Sequence, residues 1–239
     1  MGLGMEFIGK CLLVETLEKK ILTVGDLHFG FEEALNRGGV FVSRKMYQET
    51  IEYLERVFEK CGKVDEVVLL GDVKHVFGEV IRQEWDEVLG ILNYLKEKVG
   101  KVVIVKGNHD KIVEPIARRA GVETKDYYVA GELCFLHGDR DFIENYDKKM
   151  KCWILGHGHP AVKISSGVKV EKFKCFLVGE FKKKKIIVVP SFFDYGIGSD
   201  PRESDLGFAW PFNFKNFEVL VVQDESLKVL NFGKLKKIR

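Results

Sequence analysis

Apolar runs alternate with helix-like segments over the first half of the chain. Runs rich in valine, isoleucine and leucine that end in polar residues predict strands at 21–30, 65–75 and 101–110. Between them, apolar side chains recur every three or four residues over 43–62 and 82–100, which predicts two amphipathic helices, and 114–121 predicts a short third one. Ser43 and Gly62 are the residue types expected at the ends of the first helix. This order favours a parallel sheet with right-handed crossovers.

The pattern changes from about residue 122 onward. Strand-like segments are now separated mainly by turns, at 132–140, 151–160, 168–181, 182–193 and 217–224. They predict a second, more antiparallel sheet. Because the sequence shows no linker, internal repeat or low-complexity block, we expect a single domain over residues 1–239.

Composition limits the class of protein. The chain has 239 residues, of which 46% are hydrophobic and 31% charged, as is typical of a soluble globular protein. The net charge is only +2, so a local site must hold any anionic substrate. The first 15 residues lack the pattern of a signal peptide, and no apolar run approaches the ~20 residues that span a bilayer. We expect a cytoplasmic protein.

The cysteines do not form a metal motif. There are five, an odd number, and no two have CxxC spacing. Cys134 and Cys152 lie inside apolar runs. We therefore expect buried thiols in a reducing compartment.

The histidines suggest chemistry. All six follow an apolar strand directly: His28, His75, His109, His137, His157 and His159. Open α/β sheets collect ligands at the carboxyl ends of their strands, where Asp26, Asp72 and Asn108 also lie. Imidazole and carboxylate without thiolate suit manganese, iron or zinc. One ion cannot use so many ligands, whereas two ions that share a carboxylate would use them all.

Glycines flank these residues. They precede or follow the candidate ligands at Gly25, Gly71, Gly107, Gly138, Gly156 and Gly158. Glycine permits a positive φ and a close backbone approach, so we interpret them as tight turns around ions.

The ordered set D-x-H, G-D, G-N-H-D, H and G-H-x-H resembles the calcineurin-like metallophosphoesterase superfamily. The similarity covers Asp26 to His159 and continues in VVPSFFDYGIG at 188–198. It implies an α/β fold, a four-layer α/β/β/α sandwich of two mixed β-sheets flanked by helices.

The resemblance also implies roles for the residues. Two metal sites would share Asp72: a first site of Asp26, His28 and His159, and a second of Asn108, His137 and His157. His109 would be the proton donor and phosphate contact, and Asp110 would orient the loop. Asp139 and Asp141 are candidate acceptors for the ligand imidazoles. The cofactors would be two divalent ions, Mn²⁺ first, with Fe, Zn, Ni or Co as alternatives.

Phosphate chemistry favours the same roles. A phosphodiester repels hydroxide, and two ions about 3.5–4 Å apart lower the pKa of a bridging water and neutralise the charge that develops. The leaving alkoxide needs a proton, which an imidazole with a pKa near 6.5 can give near neutral pH. We expect a metal-bridging hydroxide to attack, with His109 as the general acid.

The second motif distinguishes branches of the superfamily. Protein Ser/Thr phosphatases have G-D-x-V-D-R-G, whereas this chain has GDVKHVFG at 71–78, with His75 in place of the aspartate and no arginine after it. G-D-x-x-H is similar to nucleases of the SbcD type, which implies a catalytic His75 that touches the phosphate; an outer-shell or exposed histidine is the alternative. The whole layout resembles the small archaeal SbcD-related phosphoesterases and the bacterial DNA-ligase-associated phosphoesterases.

Three arginines are candidates for binding the substrate. Arg37 and Arg44 follow the first motif and could hold a phosphate, or could simply be surface residues. The segment 192–210 could wall the site, with Phe193 or Tyr195 stacking on a nucleotide and Arg202 pairing with it, or could be an ordinary loop.

Basic runs at 181–186 and 234–239 allow a nucleic-acid partner, although an exposed hairpin turn and a solvated tail explain them more simply. Phe77, Val40 and Phe41 could support a homodimer. The leading hypothesis is a phosphodiesterase or nuclease that acts on DNA, RNA or nucleotides. The alternatives are a phosphomonoesterase and a non-catalytic, metal-containing binding module.

Overall fold

Two β-sheets pack face to face in the computed structural model, which describes residues 4–167 and 169–238. The first sheet follows chain order and consists of β1 (Gly4–Ile8), β2 (Cys11–Glu15), β3 (Lys20–Val24), β4 (Glu66–Leu69), β5 (Lys101–Val105) and β6 (Glu123–Lys125). Strands β3 to β6 are parallel, as predicted, and β1 and β2 add an antiparallel edge. The helices are α1 (Phe31–Arg37), α2 (Met46–Cys61), α3 (Arg82–Lys98) and α4 (Glu114–Ala120).

The second sheet is mixed. Its strands are β7 (Tyr127–Ala130), β8 (Leu133–Leu136), β9 (Cys152–Leu155), β10 (Ala161–Ser166), β11 (Lys169–Phe181), β12 (Lys184–Val188), β13 (Glu218–Gln223) and β14 (Lys228–Lys234). They are ordered β14-β13-β11-β12-β9-β8-β7, with β10 paired to β11. The pairs β12/β9 and β9/β8 are parallel and the others antiparallel.

Alternate residues of the central strands face two different cores. Around β4, Val67 and Leu69 pack with the helices, whereas Val68 and Leu70 pack against the second sheet. A strand that is buried on both faces needs a continuous apolar run, which is what the sequence shows there.

The outer face of the second sheet is covered differently. It packs against a loop that includes Trp210, called the aromatic loop below. It also packs against short 3-10 turns at Ile143–Tyr146, Phe214–Asn216 and Leu235–Lys237. The α/β class with two mixed sheets is confirmed. Its fourth layer, predicted to be helical, consists of these turns and this loop.

The predicted helix ends are partly right. Gly62 ends α2 with a φ of 65°, as expected. Ser43 does not cap this helix: the helix begins at Met46, and Glu32 Oε1 accepts hydrogen bonds from the backbone N–H groups of Lys45 (2.9 Å) and Met46 (3.1 Å). Helix α3 ends at Lys98, two residues before the predicted stop.

The structure also bears on the predictions for the basic runs, the cysteines and membrane spans. Lys182 and Lys183 form the tight turn between β11 and β12, so the hairpin prediction is confirmed. The tail prediction is wrong at Leu235, which is buried in a 3-10 turn. Four cysteines are buried and Cys61 is half-buried. Val168 and Arg239, which fall in predicted segments, lie outside the described residues. None of the described helices is long and apolar enough to cross a bilayer.

Candidate dinuclear metal centre

Five strand ends meet at one place. Asp26 and His28 follow β3, Asp72 follows β4, and Asn108 follows β5. From the second sheet, His137 follows β8, and the pair His157 and His159 follows β9. A β-bridge between Gly25 and Ser191 joins the two sheets at this edge. The structure therefore brings together the side chains that the sequence predicted as ligands.

The backbone of the ligands is itself strained. A positive φ occurs at five of the seven: Asp26 (43°), His28 (51°), Asp72 (47°), His157 (63°) and His159 (40°). Residues other than glycine rarely adopt this region, and such strain clusters at functional sites. The flanking glycines were expected to supply it, but only Gly71 and Gly138 of the six have positive φ.

Gly107 serves close approach instead. A Cβ atom at this position would lie 2.2 Å from Asp72 Oδ1 and 2.5 Å from the Asp72 backbone nitrogen. Only glycine leaves room for the two strand ends to meet around the carboxylate.

The first ligand group consists of Asp26, His28 and His159, whose ligand atoms all lie within 4.8 Å of one another. His28 Nε2 is 3.3 Å from His159 Nε2, which is 3.5 Å from Asp26 Oδ1. Asp26 is fully buried and its carboxylate also accepts a hydrogen bond from the His157 backbone (3.0 Å).

The second ligand group consists of Asp72, His137 and His157, together with Asn108. His137 Nε2 is 3.0 Å from Asn108 Oδ1 and 3.1 Å from His157 Nδ1. Asp72 Oδ2 lies 3.5 Å from His137 Nε2 and 3.8 Å from His28 Nε2. One carboxylate therefore stands between the two groups, as a bridging ligand must.

Backbone carbonyls fix the orientation of two imidazoles. His137 Nδ1 donates to the Leu70 carbonyl (2.7 Å), and His157 Nε2 donates to the Gly207 carbonyl (3.1 Å). Because a carbonyl only accepts, the nitrogens that face the centre carry lone pairs whenever these imidazoles are neutral.

Asp139 and Asp141 were expected to supply these acceptors, and that prediction is wrong. Asp139 pairs with Arg140 (3.4 Å), and Asp141 accepts a hydrogen bond from the Tyr146 hydroxyl (2.7 Å). Carbonyl acceptors have no residue identity, so sequence patterns give no sign of them.

The charges at the centre are coupled. Burial alone would raise the pKa of Asp72, but the hydrogen bond and charge of His137, together with His28 and His109, lower it well below its usual range. Burial would lower the pKa of His137, but the Asp72 hydrogen bond and the Asp72 and Asp26 charges raise it to about 10. Burial lowers the pKa of His28 to about 3. Once a metal displaces the proton of His137, carboxylates, an amide oxygen and neutral imidazoles form a donor set that fits divalent Mn, Fe or Zn.

His109 lies beside this centre. Its backbone N–H donates to Asp72 Oδ1 (3.0 Å), and its Nδ1 donates to the His75 carbonyl. Its Nε2 lies 3.8 Å from Asp72 Oδ2. His75 Nδ1 is 3.4 Å from His28 Nδ1, and the His75 ring stacks on the His109 ring. His75 therefore contacts both a candidate ligand and His109.

Buried carboxylates position these loops. Asp110 is fully buried, and it accepts hydrogen bonds from the backbone N–H groups of Val73 (3.0 Å) and Gly107 (3.0 Å). Burial raises its pKa to about 6. The prediction that Asp110 orients the loop is confirmed. Glu84 of α3, fully buried, accepts from the His75 backbone (3.0 Å). Sequence reasoning missed Glu84 and Glu32, because an acid within a helix pattern looks exposed.

The three predicted phosphate-binding arginines are all paired with carboxylates. Arg37 and Arg44 both bind Glu33. Arg202 pairs with Asp200 (2.7 Å), and its guanidinium also donates to two backbone carbonyls, those of Lys163 (2.6 Å) and Ile238 (2.9 Å). The structure does not bring Arg202 to the ligand cluster.

The segment 192–210 borders both ligand groups. The Phe193 ring lies 5.2 Å from the His28 ring, centroid to centroid. Phe208 fills the space beside Gly158, where a Cβ atom would lie 2.6 Å from its ring. This segment also supplies the carbonyl that orients His157.

Known proteins resemble this chain in sequence pattern and in fold. The family model for calcineurin-like phosphoesterases matches residues 19–215. The structure of the Pseudomonas putida nuclease MPE is similar at a TM-score of 0.63 and 16% identity, over 97% of this chain and 100% of that one. Yfce, a phosphoesterase from E. coli, has a TM-score of 0.42 and 15% identity over 87% of this chain and 95% of its own. No curated protein matches the sequence.

The family match covers most of the chain, from β3 almost to β13, and includes every strand end that carries a candidate ligand. The chain therefore belongs to the calcineurin-like phosphoesterases, hydrolases that act on phosphoester bonds.

Proposed function

We propose that the chain is a dinuclear metal-dependent phosphodiesterase or nuclease, with residues 1–239 acting as one domain. The observation that carries this proposal is the position of Asp72, between two groups of imidazole ligands and in contact with His109. Similarity to a structure described as a nuclease supports nucleic acid as the substrate class.

Seven side chains would hold two divalent ions, with Mn²⁺ as the first choice. The first ion would be held by Asp26, His28 and His159, the second by Asn108, His137 and His157, and both by Asp72. When bound, such a pair of ions activates water and neutralises the negative charge of the phosphate.

The role of His109 follows from its hydrogen bonds. Its Nδ1 is occupied by the His75 carbonyl, so Nε2, on the side of Asp72, is the nitrogen that can give a proton to the leaving oxygen. His75 uses Nδ1 towards His28, which leaves its Nε2 for the substrate. His109 acts as the general acid and His75 as a second contact.

A diester fits the site better than a monoester. A monoester dianion needs additional cations, and the guanidinium groups proposed for that purpose are already neutralised by Glu33 and Asp200. Arg37 and Arg44 line an open pocket of about 600 Å³, where they are candidates for contacts with a strand beyond the reacting phosphate. A homodimer through Phe77, Val40 and Phe41, and a cytoplasmic location, stay predictions.

The test compares His109→Ala with the unchanged protein, both loaded with Mn²⁺. We expect the variant to keep two ions and to lose about 10²–10⁴-fold of its turnover of bis(4-nitrophenyl) phosphate, the usual contribution of a general acid. Metal content is measured by mass spectrometry. Full activity of the variant would contradict the role of His109 as general acid. Faster turnover of 4-nitrophenyl phosphate than of the diester would favour the alternative function, a phosphomonoesterase.

A further inference from the structure

Five aromatic rings form a row over the first ligand group. In order they are Phe77, His109, His75, Phe193 and Tyr195. Successive ring planes are inclined by 34°, 27°, 10° and 36°, and successive centroids are 3.6, 5.5, 6.2 and 6.3 Å apart. The rings therefore face one another approximately, as stacked aromatic groups do.

The metal ligand His28 lies across this ring row. Its ring is inclined by 69° to His75, 87° to His109 and 65° to Phe193, with centroids 4.9–5.4 Å apart. The middle of the row therefore rests on the ligand group where a reacting phosphate would bind, and its two ends extend to either side.

Both ends of the ring row are open. Phe77 is 57% exposed and Tyr195 is 46% exposed, whereas the three rings between them are half-buried. One face of Phe77 covers His109, so its other face is left to solvent. A single exposed aromatic residue is ordinary, but two at opposite ends of one row across a metal centre form a platform.

The platform is held rigidly from below. Tyr195 donates its hydroxyl hydrogen bond to Glu32 (2.7 Å), and Phe31 packs edge-on against His75 and Phe193, with centroids 4.9 and 4.7 Å apart. At the other end, Glu84 holds the loop before Phe77. Rings that are fixed before binding lose little conformational freedom when a ligand stacks on them.

We propose that Phe77 and Tyr195 stack on nucleobases on opposite sides of the reacting phosphate, several nucleotides apart, and that the substrate is unpaired nucleic acid. This deepens the proposed function and rests on it. Bases in a duplex are already stacked and their faces are covered, so only an unpaired segment can present two bases to separate rings. Base stacking on aromatic side chains tolerates any sequence, so we expect little base preference.

The test measures binding, apart from turnover. Two labelled oligomers of equal length and charge, oligothymidylate and its abasic counterpart, both with phosphorothioate linkages, are titrated with the Mn²⁺-loaded protein by fluorescence anisotropy. We expect thymidylate to bind at least about 25-fold more tightly, because each of the two stacked bases contributes about 5- to 150-fold. Phe77→Leu and Tyr195→Leu should each lower this ratio about tenfold, and Phe77→Trp should restore it.

Phe232→Leu is the matched control, since Phe232 is also exposed but lies on β14 at the edge of the second sheet. Equal affinity of the two oligomers, or a parallel loss for both in Phe77→Leu, would overturn the proposal and leave Phe77 as packing for His109. Hydrolysis of methyl 4-nitrophenyl phosphate, which has no base, tests the proposed function separately. A protein that hydrolyses this ester but ignores bases loses only the stacking proposal.

Discussion

The two ligand groups hold their imidazoles in different ways. In the second group, His137 and His157 each donate to a backbone carbonyl, and those carbonyls belong to Leu70 at the end of β4 and Gly207 in the aromatic loop. In the first group, His28 turns its second nitrogen towards His75, a side chain of the ring row that faces the substrate.

This difference separates the half of the centre that the backbone orients, the fixed half, from the half that a side chain orients, the responsive half. A backbone carbonyl cannot rotate away or change protonation, so the orientation of the second group is built into the fold. The orientation of His28 depends on the side chain of His75. This side chain is half-buried and belongs to the proposed binding surface. The first group is therefore oriented by a residue of the proposed binding surface, whereas the second group is oriented by the backbone.

Changing Asp72, the residue that both ligand groups share, should have the largest effect on metal binding. Asp72→Asn keeps the shape of the side chain but removes the charge that faces both His28 and His137. We expect the affinity for both ions to fall by more than about 100-fold, since even outer-shell changes typically cost 10–100-fold. Calorimetric titration with Mn²⁺ measures this, and Asp139→Asn is the control. One ion bound at unchanged affinity would show that Asp72 serves a single group.

Changing His75 should affect one group only. His75→Leu removes the partner of His28 Nδ1, so we expect the first ion to bind about 10–100-fold more weakly and the second to be unchanged. His75→Asn, which retains a hydrogen-bond acceptor, should lose less. Anomalous diffraction from Mn²⁺-soaked crystals shows which ion is lost. Equal loss at both positions would contradict the division into fixed and responsive halves.

The positions of the candidate ligands could be predicted from sequence because each follows a run of buried valine, isoleucine and leucine. Parallel strands of one register bring their ends together, so the order of motifs already indicates proximity. His28, Asp72 and Asn108 needed no further information.

The supporting contacts could not be predicted in this way. Leu70 and Gly207 act through carbonyls that every residue carries, and Glu32 and Glu84 occupy helix positions where a charged residue is usually exposed. The division into two kinds of ligand group depends on these contacts, so it becomes visible only in three dimensions. The sequence likewise predicted positive φ at the glycines beside the candidate ligands, because glycine adopts this region most readily. In the structure most of the candidate ligands themselves have positive φ, because the assembled centre stabilises a backbone conformation that local propensity disfavours.

The contrast between His28 and His137 should appear, with the smallest effect, in the pH dependence of stability without metal. The pKa of His28 is lowered to about 3 from 6.5, so between these values the unfolded chain binds more protons and stability falls as the pH falls. The pKa of His137 is raised to about 10, so its contribution is complete below pH 6.5 and is lost as the pH rises towards 10. Urea unfolding in EDTA from pH 4.5 to 9.5 measures both slopes.

Substitution by glutamine should reduce one slope at a time. His28→Gln should reduce the acid slope, to which His75 and His157 also contribute because burial lowers their pKa values as well. His137→Gln should reduce the alkaline slope, and each change is at most about 1.4 kcal/mol per pH unit. The slope is the quantity to compare, because loss of the Asp72 partner also lowers the stability of His137→Gln at every pH. Asp26 and Asp72 lose their contributions to stability only below pH 3.8, because their pKa values are lowered. Asp110, whose pKa is raised to about 6, gives a slope of opposite sign that is present in both variants and cancels in the comparison. If both variants changed the same side, His28 and His137 would not be electrostatically distinct, and the difference in their hydrogen bonds would have no consequence for the charge that each one holds.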